Sequence, residues 1–232
     1  QEAEIYDREG KAVVWVEALP HIHSRLQQRL VRFPRQRAIS ALLGARDNEP
    51  RAFHISNNGE GVSSSLFPFG EFGVGGKSLW PSLNLNMVAQ ITLSTVTLDT
   101  LLQKSHIECE AFDFWVVDVQ GAELEVLAGA SRSLEYCNAI YIEASTVEVY
   151  KGGATWQEVS RHLEAAGFKA LWAPEGGHDD VLLVRQRVLQ PVEVFHAQNY
   201  LRHNQRRLEH LATLDLPLHG RSVLEVGAGV GD

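Results

Sequence analysis

The sequence predicts an α/β fold built on a mostly parallel sheet, with helices on both faces and an antiparallel hairpin on its C-terminal side. Three observations carry this expectation. Short apolar runs alternate with amphipathic stretches, the pattern of strands joined by helices. The runs are continuous rather than alternating, as strands covered on both faces require. The last two runs are joined by a connection too short for a parallel crossover, so they must pair antiparallel.

The elements follow in order. Residues 12–16 (AVVWV) read as a buried strand ending at Glu17. Pro20 opens a helix whose apolar face is Ile22, Leu26, Leu30 and Phe33. Residues 38–43 form a second apolar run stopped by Gly44, and 52–56 a strand. Residues 57–77 are polar and glycine-rich, the composition of a functional or mobile loop. Residues 88–97 are β-rich and 98–103 a short helix. DFWVVDV (113–119) is the clearest buried strand, followed by a helix over 121–130 and a strand over 139–145. The helix over 155–166 carries a capping-box pattern, Thr155 with Glu158, and is closed by Gly167. Residues 168–172 and 180–185 form the hairpin, and VLEVGAGVGD (223–232) is a strand running into a glycine loop.

Composition narrows the function. The chain has 232 residues, 44% of them hydrophobic, and a net charge of −8 from 21 Lys and Arg against 29 Asp and Glu. Nucleic acid is therefore not an expected partner, since gripping phosphates needs a basic face. The basic runs 32–37 and 202–207 read as solvated helix sides. No apolar run approaches membrane-spanning length, and no signal peptide is visible. Cys109 and Cys137 have no metal or CxxC spacing and read as small packed hydrophobes, which suits a reducing cytoplasm. No metal requirement is expected. Trp80, Trp156 and Trp172 read as packing residues. The only Met is Met87, and both ends read as cut points.

In open parallel sheets ligands sit at the carboxyl ends of strands, and that rule selects candidates. Glu17 has the chemistry to accept two hydrogen bonds from a ribose diol, or to serve as a solvated strand-end acid. Asp118 stands in an otherwise apolar run, where a carboxylate needs a partner or a task; capping the next helix is the other reading. Gln120 and Gly121 leave a tight turn. Glu123 fits a first helical turn by its charge or a catalytic role equally well. Glu143 interrupts a strand, facing a cleft or pairing with an Arg. His54 and His178 are further bases by residue type, although most such histidines are structural.

The stretches VVWVEALP (13–20), ISNNGEGVSSSL (55–66), VTLDTLL (96–102), DFWVVDVQGAELEVLAGA (113–130) and YIEAS (141–145), with the helix ending at Gly167, resemble the FkbM family of methyltransferases. The resemblance spans residues 1–187. It implies a Rossmann-like class I methyltransferase fold, S-adenosylmethionine as cofactor, and O-methylation of a small molecule or sugar. By the same resemblance Glu17 holds the ribose hydroxyls, Leu42 and Leu43 line the adenine pocket, and Asp118 sits near the methionine moiety and methyl group. Ser63, Ser64 and Ser65 border the cleft. Glu123 and Glu143 are the catalytic candidates, and the acceptor is a small molecule or glycan.

The family's first strand and glycine loop are missing ahead of residue 1, and a glycine loop with Gly227 and Gly229 appears after the last strand instead. Residues 1–187 thus read as one domain lacking its first strand. Residues 188–232 read as a lead-in helix, strand and glycine loop of a second domain, or as a permuted first strand. Either way two strand edges are left open, and residues 223–226 are expected to dock between 12–16 and 113–119. The competing functions are a nucleotide-dependent oxidoreductase and a non-catalytic binding module.

Overall fold

Apolar runs with charged or glycine boundaries give the strands, and the helices between them cover both faces. The computed structural model describes residues 2–70, 73–74, 77–78, 80–175, 177–186 and 222–226. Its large sheet has the order β10-β11-β9-β8-β12-β1-β2. These strands are β1 (Val13–Glu17), β2 (Gln36–Ser40), β8 (Phe112–Val117), β9 (Ala139–Ser145), β10 (Phe168–Ala170), β11 (His178–Arg185) and β12 (Ser222–Val226). From β2 through β1, β12 and β8 to β9 every neighbour is parallel, whereas β11 is antiparallel to both β9 and β10.

The expected C-terminal hairpin is therefore present, but the expectation of a mostly parallel sheet needs correction. Outside the large sheet, β4 (Pro50–Ser56) and β7 (Met87–Val96) pair antiparallel, with the two-residue β3 (Leu42–Leu43) parallel on the far side of β7. β5 (Gly73–Val74) and β6 (Lys77–Ser78) make a further small hairpin inside the 57–77 stretch. Across these sheets parallel and antiparallel pairs are nearly balanced, so the architecture is mixed α/β. The reason is local: strands without an intervening helix have no crossover and can only turn back.

Strand alternation divides the core. Val14, Val16, Trp115, Val117, Ile140 and Ile142 face α3 (Leu98–Lys104), α4 (Glu123–Ala128), α5 (Ser131–Leu134) and α6 (Trp156–Ala165). Val13, Trp15, Phe114, Val116, Leu182 and Val184 face α1 (Glu2–Arg8) and α2 (Pro20–Leu30). α2 buries Ile22, Leu26 and Leu30, the face that its periodicity predicts. Thr155 and Glu158 form the capping box of α6. Trp156 and Trp172 pack against the core as expected, and Trp80 stacks on Phe69.

Some boundaries differ from the sequence expectation. The 38–43 run is two strands in two sheets, broken at Ala41, whose N–H donates to the Glu17 carbonyl. The 121–130 helix is the shorter α4 followed by α5. β8 stops at Val117, so Asp118 lies just past the strand and not within it.

The segment 222–226 fills the slot between β1 and β8, as the open-edge argument expects. Val226 pairs with Val16 on one side and Val117 on the other. Residues 188–221 lie outside the described residues.

Candidate functional site

Parallel strands end on the same side of a sheet, and at that side the structure has a cleft. β1 delivers Glu17, β3 delivers Leu42 and Leu43, and the chain leaving β8 delivers Asp118 and Gln120. The space between them, open mouth included, is about 700 Å³. Phe53, Ile22 and Leu66 add apolar wall, and Gly59, Gly61, Val62 and Ser64 close the cleft from the 57–66 loop. Glu17 is only 8% exposed, and one of its oxygens accepts from the Leu19 N–H at 2.7 Å. The two acids singled out from sequence thus share one cavity.

A second, smaller crevice of about 250 Å³ adjoins it. Glu123, Glu143, Ser145 and Tyr150 line it, together with Gly121 and Gly153. The turn between the two spaces is left-handed at two successive residues, Gln120 (φ 55°) and Gly121 (φ 93°). A Cβ on Gly121 would lie 3.0 Å from the Tyr150 side chain, so close approach and backbone sign both call for glycine.

A chain of polar contacts joins the two spaces. The Gln120 Nε2 donates to Asp118 Oδ1 at 2.6 Å and to Glu143 Oε2 at 2.9 Å. The Tyr150 hydroxyl donates to Gln120 Oε1 at 2.5 Å, and the Ser65 hydroxyl donates to the Gln120 carbonyl at 2.6 Å. Glu143 Oε1 meets His178 Nε2 at 3.2 Å, and His178 Nδ1 lies 2.6 Å from the Ser145 hydroxyl. Glu123 Oε1 accepts from Gly121 N–H at 3.0 Å and Val119 N–H at 3.3 Å, which pins the turn.

Burial sets the proton affinities. Desolvation, and next the charge of Glu143, push Glu123 up to about 8. Desolvation and the charge of Asp118 raise Glu143 well above the usual carboxylate range, with His178 pulling the other way. The hydrogen bond to Glu143 raises His178 to about 9. Burial also raises Tyr150, which keeps its hydroxyl protonated. Near neutral pH the site therefore offers a protonated imidazole and a proton-holding Glu123. The side-chain oxygens of Glu17 and Asp118 have the chemistry to accept from hydroxyls on one side, and Glu123, Glu143 and His178 are proton-exchanging groups on the other.

The sequence candidates are placed as follows. Glu17, Leu42, Leu43 and Asp118 line the cleft, and Glu123 and Glu143 the adjoining crevice. Ser64 borders the cleft, Ser65 holds the turn, and the Ser63 carbonyl faces the Tyr150 hydroxyl at 3.4 Å. His178 joins the network, whereas the His54 backbone bridges Ser65 and its side chain lines neither space. Gly227 and Gly229 lie outside the described residues. Among the described residues no group of three or more His, Cys, Asp or Glu is arranged to hold a metal ion. No helix among them is long and apolar enough to cross a membrane.

Tyr150 and the side-chain role of Gln120 were missed. Their contacts join segments distant in sequence, and the one local signal is the Gln-Gly pair between a buried strand and a helix.

Comparison with curated proteins and with solved structures gives no match. A family model, described as the methyltransferase FkbM domain, matches residues 2–170.

Proposed function

Because the chain belongs to the FkbM methyltransferase family, we propose that it uses S-adenosylmethionine to methylate a hydroxyl of a small molecule or glycan. The observation that carries this reading is the shared cleft of Glu17 and Asp118 at the carboxyl ends of β1 and β8. In this reading the large sheet is a Rossmann-like class I methyltransferase core.

The residues fit the cofactor's chemistry. Glu17 suits a ribose diol, since a carboxylate accepts from both hydroxyls. Leu42 and Leu43, with Phe53, supply flat apolar surface for an adenine. Asp118 supplies negative charge for the cationic methionine portion. Gly227 and Gly229, which follow Val226 in the sequence, have no side chain to hinder a close backbone approach to a cofactor. Bound there, S-adenosylmethionine supplies a methyl group already activated by its sulfonium.

The chain's own task is then alignment and removal of one proton. Glu143 is the base favoured by geometry, because it opens on the second crevice and has His178 to stabilise its charge. Glu123 is the alternative, although one of its oxygens holds the turn. The reaction needs no metal in this scheme, and excess EDTA should leave it unchanged. The net charge of −8 favours a small molecule or glycan over nucleic acid. The buried thiols of Cys109 and Cys137, outside any disulfide, suit a reducing compartment such as the cytoplasm.

Isothermal calorimetry with S-adenosylmethionine, S-adenosylhomocysteine and NADH tests the reading. Binding of the first two and not the third is expected. Binding of NADH alone would instead favour an oxidoreductase, and no binding of any of the three would remove the reading.

A further inference from the structure

We propose that Gln120 is the positioning residue of this site, its side-chain amide holding Asp118 at the first cleft and Glu143 at the second crevice so that the two carboxylates stand as neighbours. This rests on the methyl-transfer reading for what each space binds, but not for the geometry.

The arrangement uses every polar atom of the Gln120 side chain. One amide nitrogen has two N–H groups, and each goes to a different carboxylate, at 2.6 and 2.9 Å. The amide oxygen is taken by the Tyr150 hydroxyl at 2.5 Å, and the two carboxylates fix which way round the amide lies. Reversing it would set the oxygen against two carboxylates. The backbone is held as firmly. Gln120 adopts a left-handed conformation that a side chain disfavours, and its carbonyl is anchored by the Ser65 hydroxyl at 2.6 Å. A strained residue with every side-chain polar group committed is the mark of a site built around that residue.

Position explains the consequence. Asp118 and Gln120 line the first cleft, while Gly121, next in the chain, and Glu143 line the second. The amide is thus the wall between them. The charged and titratable groups facing it are Asp118 after β8, Glu143 on β9, Glu123 on α4, His178 and Asp180 on β11, and Tyr150. Without the amide, Asp118 and Glu143 lose the donor they share, and Glu143 gains affinity for its proton.

The test is a ¹³C carboxyl NMR titration of Glu143, assigned by its loss in Glu143→Gln, in the 232-residue wild type, Gln120→Leu and Tyr150→Phe. Calorimetry with S-adenosylhomocysteine accompanies it. In Gln120→Leu the Glu143 midpoint should rise by about one pH unit, about tenfold in proton affinity, with an unchanged circular dichroism spectrum. Tyr150→Phe removes the partner of the amide oxygen, loosens the amide's hold on the two carboxylates and should move the midpoint the same way by less. If Gln120→Leu fails to fold, the Tyr150→Phe shift decides. A folded variant whose midpoint stays within about twofold of wild type in proton affinity overturns the proposal. A shifted midpoint in a chain that binds no S-adenosylhomocysteine upholds the role of Gln120 and removes the methyl-transfer reading instead.

Discussion

Arg25 on α2 is ion-paired with Glu60 in the 57–66 loop, and His21 on the same helix contacts the Glu60 carbonyl at 3.0 Å. Gly59, Gly61 and Val62, on either side of Glu60, line the cleft, so this pair latches the loop over the cavity. Both side chains are about half exposed, at 52% and 54%. An exposed pair contributes about 0–1 kcal/mol to stability. Glu60→Ala should therefore leave the melting temperature within 2 °C or so while speeding S-adenosylhomocysteine release about two- to fivefold. Stopped-flow dissociation measures this, and the wild-type rate should approach that of the variant as salt rises.

Glu17→Gln tests the first cleft directly. The substitution preserves size and the acceptor for Leu19 N–H while removing the charge. Hydrogen bonds to a charged group contribute about 1.5–3 kcal/mol, so cofactor affinity should fall about 10- to 100-fold. Calorimetry with unchanged thermal stability would agree with this. A tight-binding variant would remove Glu17 from the site.

Glu123 predicts a pH dependence of stability. Its folded-state value, about 8, lies above the ordinary 4.5. A raised value means the folded state holds the proton more tightly. The stabilisation is therefore complete below about pH 4.5 and is lost as pH rises toward 8 and past it. Glu123→Gln stays neutral and can still accept from Gly121 N–H. Relative to wild type it should gain on the order of 3 kcal/mol between pH 5 and 9. Denaturant midpoints across that range measure it, and a parallel pair of curves would contradict the burial argument.

Gly129, at the end of α4, packs so close that a Cβ would lie 2.3 Å from the Gly44 carbonyl oxygen. Gly44 follows in sequence Leu42 and Leu43, which line the cleft. Gly129→Ala should destabilise the fold by about 1–3 kcal/mol and also weaken cofactor binding through that wall. Urea denaturation and calorimetry on the same variant would show both losses.

These sites differ in how far they could be read in advance. AVVWV and the FWVV of DFWVVDV announced their strands because burial on both faces leaves no polar position to blur the run. Thr155 and Glu158 announced α6 because capping is a contact between near neighbours. The break at Ala41 was hidden, since the apolar run 38–43 continues while its two halves join different sheets. The pairing of Glu17 with Asp118 in one cavity was legible because strand-end position is a rule of topology. The network of Gln120 was not. It depends on a left-handed residue bringing together Ser65, Glu143 and Tyr150, which no local pattern encodes.

Val13 lies beside Val223 in the middle of the large sheet. On a ribosome, β1 and β8 emerge well before the strand that separates them. That pairing joins residues 210 positions apart, and closing so long a loop is slow. This pairing is therefore expected to be a late step of folding, behind the short-range hairpin of β10 and β11.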